Sequence, residues 1–398
     1  MQTPKHIHDA VRNTLRSIGR NLTTPQVRAV KELLVGLLQN STSILNHLNR
    51  GTGIRIGKQS ERYRRHLEMI DIAALVEKHI FRTLPEVEED TIIAYDLGDI
   101  AKPHAKKMEG VHPIFDGSER ESSRGYELHG VSIHNQPVVM ELHDADSKFL
   151  PQVREEIIGR LTERIGTKGI WVYDRGNDDE KLFSSHIRRK QRFIVRLKKN
   201  RNLVHKQSGM MQKVEDFLPG IYDVRLQKHR WKYTLVVHEH IEENQEQKPI
   251  RVLVRGVKVE KAEEIIEKYL CRWDIENLYK QMKEKFGLEE IRLLSLRKVK
   301  NLLALIQLAT SISNRAFAEM TEEAEEESTV IFELSTTFKA FCHKRCLTKN
   351  RFAFTSFLQE HAPSLRPRER EGNPFQRSLL PRREIRRMER ETAEMGVS

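Results

Sequence analysis

The sequence predicts an α/β protein in which a mixed sheet core carries a β-rich insertion and is flanked by helical regions at both ends. Three observations carry that expectation. Hydrophobic spacing is helical through the first 88 residues and again from about residue 259. Between residues 90 and 200, short and nearly continuous apolar runs alternate with helical stretches, as strands covered on both faces do. Residues 209–258 lose the helical period and read as strands around a polar turn. The expected division is a helical domain at 1–88, a core at 89–208 and 259–320, an inserted β-ribbon at 209–258, and a helical C-terminal region with a basic tail at 321–398.

In the helical domain, Thr24-Pro25 form a cap and first-turn pair, after which Val27, Val30, Leu34 and Leu37 recur at helical spacing. "SERYRRHLEMIDIAALVEKHIF" (60–81) predicts a second, basic helix capped by Ser60. The core opens with the strand "TIIAYD" (91–96). "GYELHGVSIH" (125–134) and "QPVVMELHD" (136–144) follow, close enough to form a hairpin. Val153, Ile157, Leu161 and Ile165 mark a helix over 147–165. "GIWVYD" (169–174) is the fourth strand, "DDEKLFSSHIRRK" (178–190) a helix and "RFIVRLKKN" (192–200) a fifth strand. Three strands, a helix, a strand, a helix and a strand is the element order of the ribonuclease-H-like fold. There the first and fourth strands are neighbours, which would bring Asp96 and Asp174 together. The insertion holds "GIYDVRLQKHRWKYTLVVHEHI" and "KPIRVLVRGVKV", and helices over 259–285 and 294–319 follow it. The C-terminal third stays helical until Pro363, where "RPREREGNPFQRSLLPRREIRRMERE" reads as a basic arm.

The totals narrow the function. The chain has 398 residues, enough for two or three domains, and a net charge of +12. Lysine and arginine in that excess suit a polyanion, because they release counterions from a phosphate backbone on binding. No apolar stretch approaches the roughly 20 residues of a membrane span, and "MQTPKHIHDAVRNTLRS" lacks a signal-peptide core. The expectation is a cytoplasmic, nucleoid-associated protein of bacterial type with no membrane partner. Of the three cysteines, Cys271, Cys342 and Cys346, the last two in "FCHKRC" flank one histidine; that is short of a four-ligand zinc site, and they read as reduced thiols on a helix.

The chemistry sits at the strand ends. Two carboxylates on adjacent buried strand ends repel each other, and a divalent cation is the simplest compensation. Mg²⁺ takes oxygen ligands and is commonly held by a few carboxylates plus a substrate phosphate. A third acidic residue comes from "KYLCRWDIENLYKQMKEKF" (268–286). Read as one helix at about 100° per residue, it places Tyr269, Arg272, Glu276 and Lys283 within about 60° of arc. Ile275, Leu278, Met282 and Phe286 fill the neighbouring sector that packs on the sheet.

Y-x2-R-x3-E-x6-K is the signature of the insertion-sequence-four family of DDE transposases, and "YLCRWDIENLYKQMK" matches it at every defined position. "VYDRG" resembles the segment around that family's second aspartate, "FIVRLKKNR" the basic strand after it, and "IIAYDLGDIAK" the first-aspartate strand. The resemblance covers about residues 90–320. It implies a metal-binding catalytic triad of Asp96, Asp174 and Glu276 using Mg²⁺, with Mn²⁺ able to substitute. It implies that Arg272 and Lys283 hold phosphates at the transposon end and that Tyr269 binds near the cleaved end. Arg196 lies in the matching basic strand and is expected to contact DNA. The implied reaction is cleavage at transposon ends, then attack of the freed 3′-hydroxyl on target DNA. The implied partners are double-stranded DNA, at terminal inverted repeats and target, and a second copy in a synaptic homodimer, with a hairpin intermediate on the transposon end. This chain has Gly98 where the family often has Thr or Ser, which leaves Asp96 and Asp99 both in play as the first ligand. Asp96 is favoured because it closes the apolar strand, whereas Asp99 would cap the following turn or bind a metal-bound water.

Trp231, in "KHRWKYT" beside His229, Arg230 and Lys232, either anchors the ribbon or stacks on an unpaired base. Two rival functions remain. "YDLGD" and "YDRGN" are similar to the phosphate loops of actin-like ATPases, although residues 320–398 contain only Gly372 and Gly396 for the late glycine-rich contacts of that class. A domesticated, non-catalytic DNA-binding protein would commonly have lost an acidic ligand, and all three are present.

Overall fold

In the computed structural model, Thr24–Gln39 forms α2 after α1 (Lys5–Ile18), and its N-cap residue is Thr23, whose backbone N–H and hydroxyl both donate to Gln26 Oε1, at 2.8 and 3.1 Å. The cap is thus one residue earlier than the sequence reading placed it. The structure describes residues 5–48, 55–116, 121–227, 230–241, 247–322 and 351–361, with Phe338, Phe341, Cys342 and Arg345. The basic arm beyond Pro363 and Cys346 lie outside the described residues. The expected helix at 60–81 is two helices, α3 (Ile56–Met69) and α4 (Ile72–Thr83). Asp71 starts the second by accepting from the Ala74 amide at 3.1 Å. Ser60 is no cap: it is buried inside α3 and donates to Asn46.

The sheet begins with β1 (Ile92–Ala101), followed by β2 (His112–Asp116), β3 (Glu121–Ile133) and β4 (Gln136–Leu142). A two-residue turn at His134 and Asn135, both at positive φ, joins β3 to β4, the backbone that matches the twist of a tight hairpin. Next come α5 (Leu150–Ile165), β5 (Ile170–Tyr173), α6 (Glu180–Arg188) and β6 (Arg192–Arg196). β1 lies between antiparallel β3 and parallel β5, and β6 continues the parallel set. The β1–β5 register sets Tyr95 beside Tyr173, so Asp96 and Asp174 leave the paired region together.

Five more strands, β7 (Asn202–His205), β8 (Met211–Lys213), β9 (Gly220–Leu226), β10 (Tyr233–Ile241) and β11 (Gln247–Arg255), extend the same sheet. β11 pairs antiparallel with β6, so the 11-stranded sheet continues through β10, β9 and β7 to β8. The β-rich segment therefore extends the core sheet from its β6 edge.

After the sheet come α7 (Ala262–Leu270), α8 (Trp273–Phe286) and α9 (Leu296–Glu322), with α10 (Arg351–His361) beyond. At about 1.5 Å per residue, α9 spans about 40 Å. It packs against all four N-terminal helices, α8, α10 and β4. Asn301 on α9 ties the α3–α4 junction down, donating to Leu67 O and Ile70 O at 2.7 Å and accepting from the Ala73 amide at 2.9 Å. One apolar core accordingly runs from Val11 through the sheet to Leu358. A second, smaller core on the other sheet face joins Ile170, Val172, Ile194 and Val252 to Ile265, Ile266 and Tyr269 of α7. Among the described residues no helix is long and apolar enough to cross a membrane.

Candidate active site

The repeated Tyr-Asp pair has a structural basis. Alternation along a strand sends Tyr95 and Tyr173 to one face and the aspartates after them to the other. Both tyrosines are fully buried, with ring centroids 5.4 Å apart. Their hydroxyls bond His129 Nδ1 and His186 Nε2, each at 2.7 Å. The tyrosines thereby anchor β1 to β3 and β5 to α6, and the carboxylates that follow leave the paired β1–β5 region side by side.

Asp174 lies one residue past β5. Its carboxylate accepts from the Gly176 amide at 2.9 Å, the Asn177 amide at 3.3 Å and Asn177 Nδ2 at 2.6 Å. A Cβ on Gly176 would sit 3.1 Å from Asp174 Oδ2, so glycine leaves the carboxylate room to fold over its own turn. Arg154 of α5 steadies that turn by donating to Asn177 Oδ1 at 2.9 Å and Asp179 Oδ2 at 2.6 Å.

Asp96 is not at a strand end, because β1 runs on to Ala101 along β3. Its pairing with β5 stops at Tyr95, which frees that flank. The Asp96 carboxylate accepts from the Leu97 amide at 3.0 Å and from Arg272 Nη1 at 2.9 Å. Burial pushes it up to about 7, against the pull of Arg272 and with a further push from Asp174 and Glu276. Both other carboxylates are thus near enough to act on it electrostatically.

The stretch read as one helix is broken. α7 ends at Leu270, α8 starts at Trp273, and i→i−3 bonds replace the helical pattern at the step: Arg272 N to Tyr269 O at 3.0 Å and Ile275 N to Arg272 O at 3.1 Å. The single stripe is therefore lost. Tyr269 stays on α7, only 2% exposed in the second core, with its ring 5.9 Å beneath the Arg272 guanidinium. Arg272, at the step and 6% exposed, joins the acidic groups: Nη2 donates to Glu276 Oε1 at 2.6 Å while Nη1 holds Asp96. Glu276 is exposed on the first turn of α8. Lys283 donates to Asp99 Oδ2 at 3.0 Å and pairs with Glu289 at 2.8 Å. Burial would lower its ammonium, yet those two hydrogen bonds raise it overall. Asp99 is a strand residue engaged by Lys283, not the cap of a turn.

Tyr279, which sequence reasoning missed, fixes α8 on the sheet. Its hydroxyl donates to Asp96 O at 2.8 Å and to Leu128 O at 3.3 Å. Gly98 explains itself here, since a Cβ would lie 3.0 Å from the Tyr279 ring. Gly130, opposite Asp96 on β3, leaves room for the hydroxyl, and a Cβ there would also meet Ile275 Cδ1 at 2.9 Å. Arg196 ends β6, half-buried and opposite Val252. Trp231 lies well away in sequence between β9 and β10, 38% exposed, with the Arg230 guanidinium 5.4 Å over its ring. A cavity of about 500 Å³ opens beside the strand ends, lined in part by Leu97, Arg154, Asn177, Lys198 and Arg201.

Among the described residues, the one set of His, Cys, Asp or Glu ligand atoms lying all within 4.8 Å of one another is elsewhere, at His112, Glu127 and His143. Nothing in the sequence pattern singled out these three.

A search of curated proteins finds no match to the chain. Residues 90–312, more than half of the chain, match the model of the transposase DDE domain. The matched span contains both aspartates, Arg272 and Glu276, and the chain belongs to the transposase DDE domain family.

Proposed function

We propose that this transposase, a DNA-acting enzyme by its family, is a cut-and-paste transposase of the insertion-sequence-four branch with Asp96, Asp174 and Glu276 as its catalytic triad. The observation that carries the assignment is that Arg272 bridges the carboxylates of β1 and α8, while Asp174, on the turn after β5, lies close enough to raise the Asp96 carboxyl. The strand order β4, β3, β1, β5, β6, with β3 alone running against the other four, supports a ribonuclease-H-like core.

The donor set is all oxygen, and two of its members already share a protein cation, which fits a hard divalent ion such as Mg²⁺, with Mn²⁺ as a substitute. When bound, such ions activate an attacking oxygen and stabilise a leaving one. The chain supplies the positioning. The turn amides orient Asp174, Tyr279 holds the Asp96 backbone, and Arg272 bridges Asp96 to Glu276 while leaving its Nε without a protein partner. That Arg272 edge and Lys283 are the groups for phosphates at the transposon end, and Tyr269 supports Arg272 from below. Arg196 and Trp231 extend the DNA path along the sheet. Lys206 and Lys232 lie close enough for Lys206 to lower the Lys232 ammonium, so an anion there relieves their repulsion. The helices of residues 1–88 are the further DNA-binding unit, attached to the core of 89–208 and 259–320. The hairpin intermediate, the synaptic homodimer and a place at the bacterial nucleoid complete the reading.

The test is incubation of the full-length protein with DNA carrying its own element's ends, with Mg²⁺ or Mn²⁺. End-specific nicking is the expected result. ATP turnover without nicking would replace this reading with a phosphotransferase, and binding without cleavage would replace it with a regulator.

A further inference from the structure

β2 and β4 both pair antiparallel with β3, β2 along its first residues and β4 along its last. They meet at Glu127. His112 is the first residue of β2, set opposite Gly125, and His143 follows β4 directly, its amide donating to Glu127 O at 2.9 Å. Three strand positions remote in sequence thus converge on one carboxylate oxygen. His143 Nδ1 lies 3.1 Å and His112 Nε2 3.4 Å from Glu127 Oε2.

The other ring nitrogens each carry a proton. His112 Nδ1 is 3.0 Å from Gly110 O, and His143 Nε2 is 2.7 Å from Lys148 O. A carbonyl only accepts, so each of these nitrogens carries the proton, and in a neutral ring the opposite nitrogen presents a lone pair. With both rings neutral, two lone pairs and a carboxylate oxygen then face one another, an arrangement that a cation between them satisfies. A second ring nitrogen donating to a backbone carbonyl is the usual support of a metal-bound histidine. The spacing agrees as well: ligand atoms about 2.1 Å from a tetrahedral ion lie about 3.4 Å apart. The segment that carries the Gly110 carbonyl is itself held. The turn before His112 is tied to the start of α9 and the segment leading into it, because Glu109 N donates to Leu294 O at 2.8 Å and Glu109 Oε2 accepts from Leu296 N at 2.9 Å.

We propose that His112, Glu127 and His143 form a second metal site, selective for Zn²⁺ over Mg²⁺ and separate from the catalytic carboxylates, that clasps β2 and the segment leading into α5 onto β3. Two imidazoles suit a first-row transition ion, whereas Mg²⁺ prefers an all-oxygen set. Three protein ligands leave a fourth position for water. His143 is buried and His112 and Glu127 are half-buried, so the ion would be shielded yet reachable. Occupancy would hold the start of α5, and with it Arg154, against the sheet.

The test is Zn²⁺ titration of chelator-treated, full-length protein in excess Mg²⁺, with metal content read after gel filtration. One zinc per chain is expected, together with a higher thermal midpoint. His112→Asn and Glu127→Gln should each weaken binding at least about tenfold, whereas Asp174→Asn, in the catalytic site, should retain it. Equal zinc uptake in the wild type and both site variants would overturn the proposal, as would no uptake by folded wild-type protein. X-ray absorption of the zinc-loaded wild type needs no variant: two imidazoles around the ion support the site, and an oxygen-only shell contradicts it.

Discussion

Asp96 and Asp99 are three residues apart on one strand, and the structure separates them by partner. Asp96 faces Arg272, with Asp174 and Glu276 near enough to raise its proton affinity, whereas Asp99 is taken by Lys283. Asp99 therefore acts on the site only through Lys283 and α8. Trp231 presents a different problem, since 38% exposure beside Arg230 fits a stacking platform as well as a strand anchor. Base stacking on an aromatic contributes about 1–3 kcal/mol and needs an unpaired base. Trp231→Ala should then slow hairpin formation roughly tenfold or more while leaving first-strand nicking near wild type. Time courses of the two products from one reaction separate the cases, and equal slowing of both would count against stacking.

α8 brings Glu276 to the aspartates, and what seats it is the fit of Tyr279 between Gly98 and Gly130. A methyl at Gly130 collides with the Tyr279 hydroxyl and crowds Ile275, and overpacking of this kind costs about 1–3 kcal/mol. Gly130→Ala should lower stability by that amount and reduce cleavage by tilting α8. Tyr279→Phe removes the colliding oxygen along with its bonds to Asp96 O and Leu128 O. The double variant should therefore be less damaged than the two single effects summed. Urea unfolding of all four proteins measures the coupling, and strict additivity would show that the two positions do not share this contact.

Through the whole molecule, buried neutral histidines tie stability to pH. His186 is fully buried, donating from Nδ1 to Gln191 Oε1 and accepting at Nε2 from the Tyr173 hydroxyl. Burial pushes it down to about 4, from 6.5 in an exposed chain. His79, against Ser17, is also lowered to about 4. The unfolded chain binds these protons first, so the stabilisation is complete above about pH 6.5 and is lost as pH falls toward 4. For His186 alone the loss is about 3 kcal/mol. The thermal midpoint should fall steadily between pH 7 and 5 (roughly one proton per buried histidine). His186→Gln should have a lower midpoint at pH 7 but a shallower decline, and parallel declines would remove His186 from the explanation.

Much of the architecture was legible because local pattern and tertiary need agree. Apolar runs ending in Tyr-Asp are central strands, and their chain order placed Asp96 beside Asp174. The rest depended on partners distant in sequence. "LGDIA" looks like a turn, with Gly98 and Asp99 both poor strand formers, yet β3 pairs it through Ala101. Periodicity does not register the step at Cys271 and Arg272, whose backbone stays in the right-handed helical region. That step is what moves Tyr269 into the core and Arg272 between the carboxylates. The joining of β11 to β6, and the gathering of His112, Glu127 and His143, are matters of strand register, which a single sequence does not display.

Side-by-side cleavage of a labelled transposon end by four variants tests the triad most directly. Asp96→Asn, Asp174→Asn and Glu276→Gln should each bind the end normally and lose metal-dependent nicking and strand transfer by about a hundredfold to a thousandfold, since removing an electrostatic catalytic group costs about 10²–10³. Asp99→Asn should only weaken both steps, through a looser Lys283. Substantial nicking by any of the first three, or a greater loss with Asp99→Asn than with Asp96→Asn in folded, DNA-binding protein, would contradict the assignment.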